Sequence, residues 1–148
     1  MEKLRLILKN HYYLLTALLM FLSFPSYDFI LFRMFPLFAW FFLVPLLIFN
    51  RERSMKDVFF YSFISGLAGH FLTYGWIGNF GIKVTGGYAV IVGFLIPSLT
   101  AFFVLKILCS EILSRRFPSL KFLIYPSVWI IGDFIQSVGF LAFPWTYI

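Results

Sequence analysis

Long apolar runs, separated by short charged or turn-forming segments, fill most of the chain. The runs have no continuous polar face, which is typical of helices enclosed by lipid or protein and not of amphipathic surface helices. Each run approaches the roughly 20 residues that a helix needs to cross a bilayer. The pattern therefore predicts an all-α, polytopic membrane helix bundle of about five transmembrane helices, forming a single membrane domain over residues 1–148. The predicted spans lie at residues 6–23, 29–49, 58–79, 88–109 and 122–138.

Prolines interrupt three of these predicted spans. Pro36 and Pro45 lie in the second span, Pro97 lies near the middle of the fourth, and Pro126 lies near the start of the fifth. Proline removes a helical hydrogen bond and clashes with the preceding turn. We therefore expect kinks in the second and fourth spans, and Pro126 in the first turn of its helix or at a kink.

Small residues recur at helical spacing along the third predicted span. Ser62, Gly66, Gly69 and Thr73 fall on one face of a helix. Small side chains let helix backbones approach closely inside a membrane. This face is therefore expected to pack against another helix.

The composition supports a bilayer as the solvent. Hydrophobic residues make up 61% of the chain, and charged residues only 12%, whereas a soluble domain carries about 25% charged residues. The mean hydropathy is +0.93. The net charge of +6 is not arranged on a mixed basic and polar face, so we expect no nucleic-acid partner.

The basic residues lie mainly between the apolar runs and indicate an orientation. With a cytoplasmic N-terminus, nine of them fall in inner segments and two in outer segments. Cytoplasmic segments of membrane proteins are enriched in lysine and arginine, so this bias favours that orientation. Three turn-rich outer loops are then expected, at residues 24–28, 78–87 and 139–145. The inner basic residues are Lys3, Arg5, Lys9, Arg51, Arg53, Lys56, Arg115, Arg116 and Lys121, and the outer ones are Arg33 and Lys83.

Two polar positions inside the apolar runs are candidates for function. His70 lies near the middle of the third span, where an ionisable residue is by default a functional hypothesis. The favoured interpretation is nevertheless a structural histidine that is hydrogen-bonded to a neighbouring helix. Asp133, with Gln136 one helical turn later, lies roughly 7–8 Å below the outer end of the fifth span. Asp133 is predicted either to line a lipid-headgroup pocket or to pair with Arg33, and the sequence leaves both open.

The remaining chemistry-bearing residues favour ordinary roles. Lys106 is expected to extend to the nearby membrane surface. Cys109 is expected to be a buried, unreactive thiol in apolar surroundings. Tryptophans are typical membrane-interface anchors, and only Trp145, beside Pro144, is set apart as a candidate contact for substrate. The sequence contains no Walker loop, HExxH, GxSxG or CxxC motif, and no metal or cofactor site is predicted.

Three patches, in this order and spacing, resemble the amino-terminal membrane domain of apolipoprotein N-acyltransferase. Residues 22–29 (Leu-Ser-Phe-Pro-Ser-Tyr-Asp-Phe) look like the family's first outer loop, and residues 66–77, which end in Tyr-Gly-Trp-Ile, look like its glycine-rich third span. Residues 126–145 look like its Pro-x-x-Trp … Glu … Gly-Phe-Pro-Trp segment. The chain departs from the family pattern at Asp133, where Glu is common, at Gln136, where Arg is frequent, and at Ala142, where Gly is usual.

The resemblance implies a bacterial inner-membrane enzyme, multi-pass, that moves an acyl chain from a phospholipid donor to the N-terminal diacylglyceryl-cysteine of a lipoprotein acceptor. In this family the reaction belongs to an extracytoplasmic nitrilase-like domain with a Glu-Lys-Cys set, and Cys109 does not match that cysteine. We therefore expect an incomplete chain that has no catalytic residue and is inactive alone. The candidates for contact with lipid or substrate are Pro25, Tyr27, Asp28, Tyr74, Trp76, Asp133, Gln136, Pro144 and Trp145.

Two other functions fit the same pattern. The chain could be a complete, non-catalytic lipid-binding or scaffold subunit that depends on a partner for chemistry. A small-solute transporter module is also compatible with proline-broken spans, although no internal sequence repeat supports it.

Overall fold

The computed structural model describes residues 11–23, 37–75 and 91–138. All regular structure within these ranges is helical, in agreement with the predicted all-α class. Short helical turns flank the α-helices: Ile91–Leu95 is a π-helical turn, and Pro118–Leu120 is a 3₁₀ turn. The α-helices are α1 (Tyr12–Ser23), α2 (Val44–Asn50), α3 (Met55–Tyr74), α4 (Ile96–Arg116) and α5 (Lys121–Ser137).

Helix α3 lies at the centre of the arrangement. It packs against α1 on one side and α4 on the other, while α2 packs against α1 and α5 packs against α4. Helix α3 begins at a Ser54 cap, whose hydroxyl oxygen accepts a hydrogen bond from the Asp57 N–H at 3.2 Å. The hydroxyl–amide bond satisfies one of the orphan donors of the first turn and fixes where the helix starts.

The small residues of α3 are buried, as predicted, but they serve two neighbouring helices. A Cβ atom added to Gly66 would lie 2.8 Å from the Phe103 ring of α4. A Cβ atom added to Gly69 would lie 2.8 Å from the Met20 sulfur and 3.4 Å from the Ala17 Cα of α1. The absent side chains therefore set the distance of α3 from both helices.

Buried hydrogen bonds fix the helices of the N-terminal part to one another. The Thr16 hydroxyl of α1 accepts a hydrogen bond from the Leu46 N–H at 3.0 Å, which satisfies a first-turn donor of α2. The Ser65 hydroxyl of α3 donates to the Tyr13 carbonyl at 2.7 Å. Since the groups are buried, loss of either partner would leave the other without a hydrogen bond in an apolar setting.

The structure gives the positions of three of the four prolines in the predicted spans. Pro97 lies in the first turn of α4, directly after the π-helical turn, and not near the middle of the helix. Pro126 does lie inside α5, beyond the first turn. Pro45 lies in the first turn of α2, and Pro36 lies outside the described residues.

The segment between the fourth and fifth predicted spans is helical in its first half. Helix α4 continues through this segment to Arg116. Glu111 is 3% exposed, and its carboxylate accepts from Arg115, one turn later, at 3.1 Å and from the Tyr125 hydroxyl of α5. The helix ends where Phe117 precedes Pro118, since a residue before proline is disfavoured in the helical region.

By length and apolarity, one helical segment of the described residues, Gly93–Arg116, is able to cross a membrane. The segments Tyr12–Ser23 and Leu37–Asn50 are apolar but shorter.

We predict that Gly66→Val destabilises the bundle by about 2 kcal/mol, because the new side chain would overlap the Phe103 ring. Thermal unfolding of the purified protein in detergent measures the change. Gly93→Val is the matched control, since no atom lies within 4 Å of a Cβ built there. Equal shifts for the two variants would contradict the packing at Gly66.

Candidate functional site

An ion pair joins α4 and α5 within the apolar part of the bundle. The Lys106 ammonium nitrogen lies 2.6 Å from Asp133 Oδ1. The Lys106 side chain is 9% exposed and that of Asp133 is 24% exposed. We call this pair, together with Trp129, Gly132 and Gln136, the α4–α5 polar cluster.

The hairpin between α4 and α5 brings these residues together. Helix α4 ends at Arg116, the chain turns through Pro118–Leu120, and α5 returns along α4. The two charged residues lie at similar distances in sequence from this turn, so they meet at a similar depth. Gly132 leaves room for the lysine, because an added Cβ would lie 2.7 Å from both Lys106 Cγ and Cδ. The stem of Lys106 therefore crosses α5 over Gly132 and delivers its ammonium group to the adjacent Asp133.

Trp129 supplies the second contact to the ammonium group. It lies one helical turn before Asp133, and its ring centroid is 4.3 Å from Lys106 Nζ. The ring is held by edge contacts with Phe42 and Phe103, with centroids 6.0 Å and 5.9 Å away. A carboxylate and a π face together replace part of the hydration that Lys106 loses on burial.

A small cavity of about 30 Å³ borders the ion pair. This volume has room for about one water molecule, and the cavity offers polar groups to hold it. Gln136, which is 4% exposed, also borders it and is the one buried residue of α5. The residues around the cavity are Met20, Phe42, His70, Leu99, Phe103, Lys106, Trp129, Asp133 and Gln136.

His70 closes the side of the cavity that faces α3. Its Nδ1 lies 2.7 Å from the Gly66 carbonyl oxygen and 3.2 Å from the Thr100 hydroxyl of α4. The Thr100 hydroxyl donates to the Ile96 carbonyl, so a proton on His70 Nδ1 satisfies both acceptors. Hydrogen bonding of His70 to a neighbouring helix, the interpretation favoured from the sequence, is therefore confirmed.

The structure describes three of the nine residues that the sequence proposed for lipid or substrate contact. Asp133 and Gln136 border the same cavity, while Tyr74 is 3% exposed and stacks on His70 with ring centroids 6.0 Å apart. The other six, and Arg33, lie outside the described residues. These six are Pro25, Tyr27, Asp28, Trp76, Pro144 and Trp145.

Lys106 is the residue of this candidate site that sequence reasoning missed. Its predicted extension to the membrane surface is wrong, since the residue is 8% exposed and turns inward to Asp133. Pairing Lys106 with the partly buried Asp133 carboxylate is more favourable than leaving both charges unpaired in an apolar setting. The available signal was a pair of opposite charges, each inside an apolar run, placed almost symmetrically about one turn.

Two further expectations about this region are corrected. Cys109 is exposed, not buried, and lines an apolar groove of about 340 Å³ on the surface between α4 and α5. Trp129 is not an interface anchor, because it packs inside the bundle against Lys106 and Phe103. Lys106 and Gly132 also line the groove that contains Cys109. The lysine stem therefore separates that groove from the small cavity beside the ion pair.

We predict that Lys106→Met or Asp133→Leu alone destabilises the protein by about 3–5 kcal/mol, since each leaves a buried charge without its partner. The double variant should be more stable than the sum of the two single effects implies. Unfolding of all four proteins in detergent, analysed as a double-mutant cycle, gives the coupling free energy. Exposed Lys121→Met is the control and should change stability little. Additive single effects would show that the pair is not formed.

The comparisons with known proteins agree with one another. The family model described as the apolipoprotein N-acyltransferase N-terminal domain matches residues 16–148. The chain is also similar to a Treponema denticola protein named apolipoprotein N-acyltransferase 1, with 28% identity over 131 residues. That match covers 88% of this chain but only 22% of the relative, so the chain spans a small part of the relative's length. No solved structure matches the chain. Because the family model covers most of the residues, this chain belongs to the apolipoprotein N-acyltransferase N-terminal domain family.

Proposed function

We propose that this chain is the membrane part of an enzyme that transfers an acyl chain from a phospholipid to the N-terminal diacylglyceryl-cysteine of bacterial lipoproteins. Membership of the N-terminal domain family supports the acyltransferase assignment. The α4–α5 polar cluster is the observation that best supports a positioning role, and not a role in chemistry, for this part of the enzyme. The Asp133 carboxylate is paired with the Lys106 ammonium group at 2.6 Å. It therefore holds α5 in position against α4 and is a poor general base.

The distribution of exposed side chains supports a multi-pass arrangement in the bacterial inner membrane. By length alone, the 20 residues of helix α3 match the thickness of the hydrocarbon region. Its hydroxyl-bearing residues Ser62, Ser65 and Thr73 are buried within the bundle. Its outward face is apolar, as is that of α5. Exposed apolar residues on these two helices are Phe59, Phe60, Phe63, Leu67, Phe71, Leu72, Phe122, Leu123, Ile130, Ile131, Phe134 and Ile135.

One contact between two charged segments supports the proposed orientation. The Arg115 guanidinium at the end of α4 donates to the Arg53 carbonyl before α3 at 2.9 Å. The basic residues of both segments therefore lie at one end of the bundle. Under the positive-inside rule this end faces the cytoplasm, and the opposite ends of α3 and α5 face outward.

In this orientation α5 leads toward the outer face, where the proposed lipid and substrate contacts are. Lys106 fixes the register of α5 against α4 through Asp133 and Gly132. The segment that follows α5 contains Pro144 and Trp145, and its starting point is thereby set. We propose that the ion pair positions this segment, and that Gln136 borders the approach to it.

We predict the orientation from accessibility of single cysteines. In a full-length protein whose native cysteines are replaced, a cysteine at Glu52 should react with a membrane-impermeant thiol reagent only after the inner membrane is permeabilised. A cysteine at Lys83 should react in intact spheroplasts. The reverse pattern would contradict the proposed orientation. Equal labelling of both cysteines would contradict a membrane span between positions 52 and 83.

We predict that the full-length protein transfers a labelled acyl chain from phospholipid to a synthetic diacylglyceryl-cysteine peptide. Asp133→Asn should lower the transfer rate about tenfold or more, because small displacements of bound substrate have large effects on rate. Mass spectrometry of the peptide amine measures the product. Lys121→Gln is the control for an exposed charge on the same helix and should leave the rate unchanged.

The outcomes separate this proposal from the scaffold alternative. Saturable phospholipid binding without any transfer to the peptide would favour a non-catalytic lipid-binding subunit. Transfer that is insensitive to Asp133→Asn would retain the acyltransferase assignment but contradict the positioning role of the ion pair.

A further inference from the structure

A second apolar groove lies between α3 and α4, near the end of the bundle that bears the basic residues. Its volume is about 420 Å³, and Met55, Lys56 and Phe59 of α3 and Leu108 and Ile112 of α4 line it. It opens between the same two helices that touch at Gly66, about two helical turns away. We call it the Lys56 groove.

The walls of the Lys56 groove are apolar and outward-facing. Phe59 is 50% exposed and Ile112 is 55% exposed. The Phe59 ring is held in place by stacking on Phe63, with centroids 6.2 Å apart and planes 14° apart. An apolar, ordered groove on the outside of a membrane bundle suits a flexible hydrocarbon chain.

Two exposed cations, one in the lining of this groove and one near it, form no ion pair with the described residues. Lys56 lines the groove on the α3 side. Arg116 lies one helical turn beyond Ile112 on the same face of α4. No ion pair within residues 11–23, 37–75 and 91–138 involves either side chain. Both are exposed.

The described contacts of the acids in this part of the chain are with groups other than Lys56 and Arg116. Asp57 accepts from the Ser54 hydroxyl at 2.7 Å. Glu111 accepts from Arg115 and from the Tyr125 hydroxyl. Glu52 is the other acid in this part of the chain and is exposed in the turn before α3. None of these acids forms an ion pair with Lys56 or Arg116 among the described residues, so both cationic groups have room to contact a ligand.

We propose that the Lys56 groove binds an anionic phospholipid of the cytoplasmic leaflet. The phosphate would contact Lys56 and Arg116, and an acyl chain would lie over Phe59, Leu108 and Ile112. The order of the groups favours this occupant: cations stand at the membrane-surface end and apolar side chains follow toward the membrane interior, as charge and hydrocarbon do in a phospholipid. The proposal depends on the proposed orientation but not on acyltransferase activity, because this groove is at the end opposite the proposed substrate contacts.

The test is lipid retention by the full-length protein. The protein is purified in mild detergent, titrated with phosphatidylglycerol or phosphatidylcholine, and examined by native mass spectrometry. Lys56→Gln should weaken phosphatidylglycerol binding about fivefold, the usual contribution of one basic residue near an anionic headgroup. Arg51→Gln is the matched control, since it removes one positive charge from the same end but does not line the groove. Arg51→Gln should leave binding unchanged.

A second variant tests the apolar part of the groove. Phe59→Ala removes half-exposed ring surface and should reduce binding of both lipids without unfolding the protein. Equal effects of Lys56→Gln and Arg51→Gln would overturn the proposal in favour of diffuse electrostatic attraction. Equal binding of the two lipids by the unmodified protein, or no effect of Phe59→Ala, would also overturn it. Loss of acyl transfer with normal lipid retention would instead bear on the proposed function alone.

Discussion

A lysine and an aspartate that lie among apolar helices are stable there only as an ion pair. This requirement determines how α5 packs against α4. Either charge alone would be strongly unfavourable in an apolar bundle. At 2.6 Å, with the Trp129 ring also against the ammonium group, the pair offsets part of that free-energy cost. The consequence is geometric as well as energetic: α5, which otherwise buries only Gln136, acquires a defined register against α4.

Small residues make the remaining contacts possible. Gly132 admits the stem of Lys106 across α5, just as Gly66 and Gly69 admit α4 and α1 onto α3. In a membrane the hydrophobic effect does little to drive helices together, so close backbone approach and buried hydrogen bonds decide which faces meet. The bonds from Leu46 N–H to Thr16 and from Ser65 to Tyr13 act in the same way around α1. Close packing at small residues and buried polar contacts therefore act together to position the α4–α5 polar cluster.

Much of the fold could be predicted from the sequence, because apolar runs and small-residue spacing are local signals. The helical class and the packing face of α3 follow from them directly. The inward turn of Lys106 could not be read in this way, since its partner is 27 residues away in sequence. The helical continuation to Arg116 depends on contacts of Glu111 with Arg115 and with Tyr125 of the next helix. Where a charge has a distant partner, local pattern alone assigns it to the surface or to a loop.

The most direct test of the Lys106–Asp133 ion pair is the distance between the Lys106 ammonium nitrogen and the Asp133 carboxyl carbon in a lipid bilayer. Solid-state NMR of the full-length protein, labelled with ¹⁵N at lysine side chains and ¹³C at aspartate carboxyls, provides it, and Lys106→Met identifies the signal. The account predicts a dipolar coupling that corresponds to direct hydrogen-bond contact between the two groups. A distance too long for contact, or a coupling that survives Lys106→Met, would contradict it.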